Sequence, residues 1–302
     1  MADHLKLRLP DCAPETAARS AGWSALALCY GLLVTLVLAG LGWVYFGFTY
    51  RGDHLRASDY HYPEDYRPAC AGGLGAVADH ERAPTAAGLH FSVTTPRNYR
   101  ADFAHPLLVV WAPSGLSEQL SERFTGLTGA ATERGFIVVY SRSVPLGEKA
   151  LRALAEIPAA AMAKWCIDPA RVAYTGHSDG GTVSNALAVL PGLDRRPAVI
   201  APSAMGMQAQ DMAAFACPAP TPVMLMHNQG DHHFPDYGVG VANWWARCNG
   251  CSTHLDAAGF ADCEAFSGCV APTLLCRAPG GHAHWPGFEH RVIEFIDGVM
   301  PR

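Results

Sequence analysis

The chain has 302 residues, of which 50% are hydrophobic and 16% are charged. This length and apolar content suit one large folded domain with additional segments, and they exclude disorder for most of the chain. There are 22 Lys and Arg against 27 Asp and Glu, which gives a formal charge of −5, and the basic residues are scattered along the sequence. The sequence therefore predicts no nucleic-acid partner.

An apolar segment without Asp, Glu, Lys or Arg extends over residues 23–48. A helix of this length, at about 1.5 Å per residue, crosses the roughly 30 Å core of a bilayer. Trp23 and Trp43 supply the aromatic rings that membrane interfaces favour. The segment predicts a transmembrane signal anchor, with the membrane as a partner and residues 1–22 as a cytoplasmic tail. A cleaved signal peptide, which would leave a secreted protein, is the alternative.

Eight of the 10 cysteines follow this segment, and five of them lie between residues 248 and 276. Such a density is typical of a disulfide-stabilised region in an oxidising compartment. Cys248, Cys251 and Cys263 are an alternative zinc-binding set, although the second Cys-x-x-Cys pair of zinc ribbons is absent. The cysteines favour a domain outside the cytoplasm, either periplasmic or extracellular.

Residues 49–86 are rich in Pro, Gly, Ala and Tyr and show no helix or strand period, which predicts a linker or surface wrap. From residue 87 to residue 302, short apolar runs alternate with segments of helical spacing. The runs that predict strands are Leu89–Val93, Leu107–Ala112, Phe136–Tyr140, Val172–Tyr174, Ala198–Ile200, Val223–Met226 and Thr273–Cys276.

The helical spacing falls between and after these runs. The predicted helices are Ser117–Arg134, Leu146–Trp165, Ser178–Leu190 and Phe288–Val299, and Pro158 should kink or split the second. This alternation, with strands apolar along their whole length, predicts an α/β domain over residues 87–302. Its central sheet should be mainly parallel and flanked by helices on both faces.

The most informative motif is Gly-His-Ser-Asp-Gly at residues 176–180, between an apolar strand and a helix. A Gly-x-Ser-x-Gly sequence in this context predicts a tight strand-to-helix turn with Ser178 at its apex, where the two glycines allow close packing. A serine hydroxyl is a weak nucleophile, so it needs a base that a carboxylate orients.

Two later loops supply these groups in the order Ser, Asp, His that this architecture uses. Asp231 follows the predicted strand Val223–Met226, and His282 follows Thr273–Cys276. Loops at the carboxyl ends of strands are where open α/β sheets form their sites. Asp236 is an alternative carboxylate, and His284 is an alternative base.

An oxyanion hole requires backbone N–H groups directed at the developing negative charge. Asp179, directly after the serine, is one predicted donor. The second should come from the loop after Leu107–Ala112, where Pro113 has no N–H, so Ser114 and Gly115 are the candidates.

Neither a metal nor a cofactor is predicted. Several histidines cluster in the late loops, but no His-x-x-x-His helix or accompanying carboxylate ligands organise them into a metal site. These histidines are His227, His232, His233, His282 and His284.

Together these motifs resemble the α/β-hydrolase fold and, within it, the extracellular polyhydroxybutyrate depolymerase and feruloyl esterase group. The resemblance covers roughly residues 87–300. It rests on Ile167–Val172, Gly176–Gly181, Gly230-Asp231, Trp244 ahead of Cys248–Cys251, and Gly280–His282 with Trp285–Gly287. It implies hydrolysis of small or oligomeric carboxylic esters through an acyl-enzyme, with Ser178 as nucleophile, His282 as base and Asp231 as the residue that orients the base.

The sequence departs from that group at two places. This sequence has Pro113-Ser114-Gly115 where the group usually has His-Gly, so the group's second oxyanion donor has no direct counterpart here. His282 and Trp285 are separated by two residues, whereas the group has one residue between the catalytic His and the Trp. This difference is why His284 is kept as an alternative base. A catalytically degenerate hydrolase-fold binding module of the cell envelope is therefore the competing hypothesis.

Overall fold

The computed structural model describes residues 27, 30–38, 54–70, 73–260 and 262–301. Residues 27 and 30–38 are helical. Among the residues described, no helix is both long and apolar enough to cross a membrane. The rest of the predicted transmembrane segment 23–48 and the predicted tail 1–22 lie outside the described residues.

From residue 54 onward, the described residues form one compact unit built on a ten-stranded sheet. The strands are β1 (Glu81–Pro84), β2 (His90–Thr94), β3 (His105–Trp111), β4 (Ile137–Ser141), β5 (Ile167–His177), β6 (Val199–Ser203), β7 (Val223–Met226), β8 (Leu255–Ala257), β9 (Cys263–Phe266) and β10 (Thr273–Cys276). The helices are α1 (Glu118–Thr125), α2 (Thr128–Glu133), α3 (Glu148–Leu154), α4 (Ile157–Met162), α5 (Asp179–Val189), α6 (Ala209–Met212), α7 (Tyr237–Cys248) and α8 (Glu289–Val299).

The strands lie in the order β1-β2-β4-β3-β5-β6-β7-β10-β9-β8. The six strands from β4 to β10 in this order are all parallel, whereas antiparallel pairs close both ends of the sheet. The predicted α/β fold with a mainly parallel central sheet is therefore confirmed. In such a sheet the carboxyl ends of β5, β7 and β10 lie at the same edge, so the loops that follow them meet there.

The sheet is buried on both faces, as the continuous apolar runs require. In β3, Leu107, Val109 and Trp111 pack into one core with residues of α5 and α7, whereas Leu108 and Val110 pack into a second core with α2 and α8. Side chains of a strand alternate between its two faces, so each face takes every second residue. The helices on both faces keep water from the central strands.

Three features of the structure differ from the sequence predictions. Residues 81–84, within the predicted linker 49–86, form the edge strand β1, which is too short to show a period and depends on pairing with β2. The hairpin β8–β9 and helices α6 and α7 were not predicted. Gly126 adopts a left-handed φ of 64° as the C-cap of α1, so the predicted helix Ser117–Arg134 is two helices. Pro158 lies in the first turn of α4, in agreement with the predicted split.

The described cysteines after residue 54 form disulfides. The pairs are Cys70–Cys166, Cys217–Cys248, Cys251–Cys269 and Cys263–Cys276. The three cysteines considered for zinc are thus each cross-linked to a different partner. Four disulfides suggest an extracytoplasmic location, since such bonds persist in oxidising compartments.

The four disulfides should differ in their effect on stability, because a cross-link that closes a longer loop removes more entropy from the unfolded chain. Cys70–Cys166 spans 96 residues, and Cys263–Cys276 spans 13. We expect the double variant C70A/C166A to lose about 4–5 kcal/mol of unfolding free energy and C263A/C276A about 3 kcal/mol. Urea denaturation of the two variants measures both values, and the reverse order would contradict the prediction.

Candidate active site

Ser178 lies at the junction between β5 and α5, where the chain turns sharply. Its backbone has a φ of 55°, a conformation that is uncommon for a residue with a side chain and is typical of strained functional positions. A Cβ on Gly176 would lie 2.6 Å from the Trp111 carbonyl oxygen, and one on Gly180 would clash with the same oxygen. Only glycine permits this approach of β5 and α5 to the end of β3.

Hydrogen bonds from neighbouring elements hold this turn in place. The Ser178 N–H donates to the Ser203 carbonyl oxygen at the end of β6 over 3.0 Å. The Thr182 N–H donates to the Ser178 carbonyl over 2.9 Å as the first turn of α5 begins. The backbone of Ser178 is thus tied to both β6 and α5, and its conformation is determined by its surroundings.

The loop after β10 brings His282 to Ser178. The Nε2 atom of His282 lies 2.9 Å from Ser178 Oγ, and its Nδ1 atom lies 2.9 Å from Asp231 Oδ2. An ionised carboxylate only accepts hydrogen bonds, so Nδ1 carries the proton and Nε2 accepts from the serine hydroxyl. The three predicted residues therefore form one continuous hydrogen-bonded chain.

Asp231 is held so that it remains ionised. Its side chain is fully buried, and its Oδ1 atom accepts hydrogen bonds of 2.9 Å from the N–H groups of both His233 and Phe234. Burial raises the pKa of this carboxyl, but the hydrogen bonds from His282, Phe234 and His233 outweigh it and leave the pKa below its ordinary value. Asp236, the alternative carboxylate, is exposed at the N-terminus of α7.

The loop that carries His282 is anchored to the loop after β7. Asn228 Nδ2 donates to the carbonyl oxygens of Gly281 and His284 over 2.9 and 2.7 Å. Gly230 and Gly281 form an isolated parallel bridge. These contacts involve only the backbone of His284, whose side chain is exposed. The structure therefore brings His282 into the hydrogen-bonded chain and leaves the alternative, His284, outside it.

The predicted oxyanion donors have different surroundings. The N–H of Gly115 donates to Ser143 Oγ over 2.9 Å, so that donor is already occupied. In the described part of the chain no acceptor contacts the N–H of Ser114 or of Asp179. Of the three candidates, Ser114 and Asp179 are the ones whose N–H groups are available.

Several residues that support this site were not assigned a role from the sequence. Asn228 and the N–H groups of His233 and Phe234 belong to the same loop as Asp231, so their position after β7 was the available signal. His177, adjacent to Ser178, is buried and lies 2.6 Å from the His282 carbonyl oxygen through its Nε2 atom. The Gly-x-Ser-x-Gly motif contains His177, but its hydrogen-bond partner, the His282 carbonyl oxygen, lies on another loop. The motif alone therefore gives no sign of this contact.

Aromatic rings surround the His282 imidazole. The ring centroid of His233 lies 4.8 Å away, and that of Phe234 lies 5.0 Å away in an edge-on arrangement. Phe234 also stacks on Tyr237 at 5.4 Å, and both rings are partly exposed. Phe234 thus presents a partly accessible apolar ring next to His282, and Tyr237 extends it on the far side.

No model of a known protein family matches the chain, and no curated protein sequence matches it. Solved structures do match. A truncated carbohydrate esterase from gut microbiota is 11% identical with a TM-score of 0.52, and the match covers 77% of this chain and 97% of that one.

Two proteins of Staphylococcus aureus match in the same way. The fluorophosphonate-binding serine hydrolase FphF is 14% identical with a TM-score of 0.52, over 74% of this chain and 99% of its own. The S-formylglutathione hydrolase FrmB is 14% identical with a TM-score of 0.50, over 76% of this chain and 99% of its own. At these identities the matches show a shared fold: the chain is similar in structure to esterases and other serine hydrolases.

His282 and His284 lie on the same loop after β10 but should differ sharply in their effect on the reactivity of Ser178. Among the described residues, His282 is the one whose side chain hydrogen-bonds both Ser178 and Asp231, so we expect H282A to lower the rate at which a fluorophosphonate labels Ser178 at least about a hundredfold. H284A is the matched control and should be labelled at the wild-type rate. Gel-based labelling time courses measure both, and equal losses would contradict the assignment.

The stability of the fold should decrease on acidification. Burial lowers the pKa of His105 and of His177 from 6.5 to about 4. Between pH 6.5 and about pH 4, these two histidines are therefore protonated in the unfolded chain and neutral in the folded chain. The free energy of unfolding should fall from pH 7 to pH 5 by about 2 kcal/mol for each of these histidines. Urea denaturation at both pH values tests this. H177Q should reduce the pH dependence, and an unchanged dependence would contradict the explanation.

Proposed function

We propose that the chain is a serine carboxylester hydrolase that acts through an acyl-enzyme. The observation that carries this proposal is the continuous hydrogen-bonded chain from Ser178 Oγ through His282 to buried Asp231. This arrangement of nucleophile, base and carboxylate is the one by which serine hydrolases activate a hydroxyl group. The fold shared with esterases supports the same reaction class.

In the proposed reaction, Ser178 Oγ attacks the ester carbonyl carbon while His282 Nε2 takes the hydroxyl proton. The N–H groups of Asp179 and Ser114 are the proposed donors to the oxyanion of the tetrahedral intermediate. His282 then returns the proton to the departing alkoxide, which leaves as an alcohol and gives the acyl-enzyme. In the second half, His282 takes a proton from a water molecule as that water attacks the acyl carbon. The bond from the acyl carbon to Ser178 Oγ then breaks, His282 returns the proton to Oγ, and the acid is released.

The carboxylate of Asp231 acts throughout as the counter-charge. When His282 becomes an imidazolium, its positive charge lies 2.9 Å from an oxygen of Asp231. The lowered pKa of Asp231 keeps that oxygen negative at neutral pH, so the ion pair stabilises the charge that forms in the transition state.

For the substrate we propose short acyl or hydroxyacyl esters, or esters of aromatic acids, as the resemblance to polyhydroxybutyrate depolymerases and feruloyl esterases implies. The partly exposed ring of Phe234 beside His282, with the ring of Tyr237 stacked on it, supports a substrate with an apolar or aromatic part. We further propose that residues 23–48 anchor the enzyme in a membrane with its catalytic domain outside the cytoplasm. The four disulfides support this compartment.

Labelling and turnover test the proposal together. A fluorophosphonate probe should label the wild-type protein at Ser178, and aryl esters of short acids should be hydrolysed. S178A should lose labelling and at least about a thousandfold of the turnover, because the nucleophile is absent. Intact-protein mass spectrometry and a chromogenic ester assay measure these results. Turnover by S178A at the wild-type rate would refute the assignment.

The competing hypothesis is a hydrolase-fold binding module without chemistry, as suggested by the departure at Pro113-Ser114-Gly115 from the related group's oxyanion loop. The same experiment separates the two hypotheses. Absence of both labelling and turnover over a panel of esters would favour the binding module, and measurable turnover that depends on Ser178 would exclude it.

A further inference from the structure

The side chain of His177 occupies a buried position between β6 and the loop of His282. It is 2% exposed, its Nε2 atom lies 2.6 Å from the His282 carbonyl oxygen, and its Nδ1 atom lies 3.0 Å from Ser203 Oγ. A carbonyl oxygen only accepts hydrogen bonds, so Nε2 carries the proton. In the neutral ring Nδ1 then accepts from the Ser203 hydroxyl, and both ring nitrogens have a partner.

These hydrogen bonds exclude a role for His177 in proton transfer. Nε2 already donates its hydrogen to a carbonyl oxygen, and Nδ1 already accepts a hydrogen bond from the Ser203 hydroxyl. Neither nitrogen can therefore receive the proton of Ser178. Burial lowers the pKa of His177 to about 4, which keeps the imidazole neutral at neutral pH. The ring therefore acts as a fixed donor and acceptor.

Aromatic packing fixes the plane of this ring as well. The ring centroids of Phe124, His282 and Trp285 lie 5.1, 5.5 and 6.2 Å from that of His177. The Nε2–H bond consequently has little freedom to turn away from the His282 carbonyl. A rigid donor of this kind holds the backbone that it contacts.

Ser203 connects the two sides of the catalytic pair. Its carbonyl oxygen accepts the Ser178 N–H over 3.0 Å, and its hydroxyl donates to His177, which in turn donates to the backbone of His282. The end of β6 thus holds the backbone of the nucleophile directly and the backbone of the base through one imidazole. Asn228 anchors the same loop from the loop after β7, but through the carbonyl oxygens of Gly281 and His284.

We infer that His177 is a positioning residue that fixes the backbone of His282 relative to Ser178 and so sets the distance between the base and the nucleophile. The inference rests on the proposed esterase function and concerns a residue that the proposed reaction does not use. A displacement of about 1 Å between reacting groups can cost about a hundredfold in rate, so the loss of this contact should reduce kcat.

Two substitutions separate the hydrogen bond from the packing. H177F keeps a flat ring against Phe124 and Trp285 but removes the donor, whereas H177Q places an amide N–H at the same distance along the side chain as Nε2. We expect kcat for an aryl ester to fall about 10- to 100-fold in H177F with KM changed less than about threefold, and H177Q to stay within about fivefold of wild type. Wild-type kcat in H177F would overturn the inference, as would equal losses in both variants at equal Tm.

A further variant covers the case in which H177F does not fold. H177N keeps an amide but is one bond shorter, so it reaches the region of Ser203 without reaching the His282 carbonyl. The inference then requires kcat of H177Q to exceed that of H177N by about tenfold, in line with the loss expected for a displaced base. Equal kcat in the two amide variants would overturn it.

Proton NMR gives a readout that does not depend on turnover. The Nδ1–H of His282, which donates to Asp231, should give a low-field resonance in the wild type and in H177Q that is broadened or lost in H177F. An unchanged resonance in H177F would overturn the inference. If the wild type shows this resonance but neither labelling nor turnover, the proposed function fails, and the resonance in H177F and H177Q still decides the positioning role of His177.

Discussion

The whole site depends on one hydrogen bond, 2.9 Å long, between Ser178 Oγ and His282 Nε2, which joins residues 104 positions apart in the sequence. No local interaction creates such a contact. It forms because β5 and β10 run parallel in the same sheet, so the loops at their carboxyl ends share one edge. It also requires the strained turn at Ser178, which the glycines at 176 and 180 permit by letting α5 approach the end of β3.

Much of this arrangement could be predicted from the sequence, because its causes are local. Strands that are buried on both faces are apolar along their whole length, so the runs at β3, β4 and β7 stand out without any alignment. The loops after β5, β7 and β10 then contain Ser178, Asp231 and His282 in the order expected for a hydrolase fold. Pro158 similarly predicted the interruption between α3 and α4.

The remaining features depend on tertiary contacts that a single sequence does not contain. His282 and His284 lie on one loop and have similar neighbours in sequence, and the contacts of the His282 imidazole with Ser178 and Asp231 distinguish them. The sequence predicts Gly115 as one candidate oxyanion donor, but the hydroxyl oxygen of Ser143, which comes from another loop, accepts its N–H. His177 was visible in the motif, but its role follows from a carbonyl that is 105 residues away.

The edge strand β1 and the disulfide of Cys70 affect where the domain begins. A shortened protein that started at residue 87 would lack both, although the apolar pattern alone suggests that boundary. It would leave Cys166 as an unpaired thiol, available for exchange with the other disulfides during oxidative folding, and it would expose the backbone N–H and C=O groups of β2 to other chains. A unit that keeps both features therefore begins before Cys70, and one that begins by His54 also keeps the hydrogen bond from the Gly129 N–H in α2 to the His54 carbonyl oxygen.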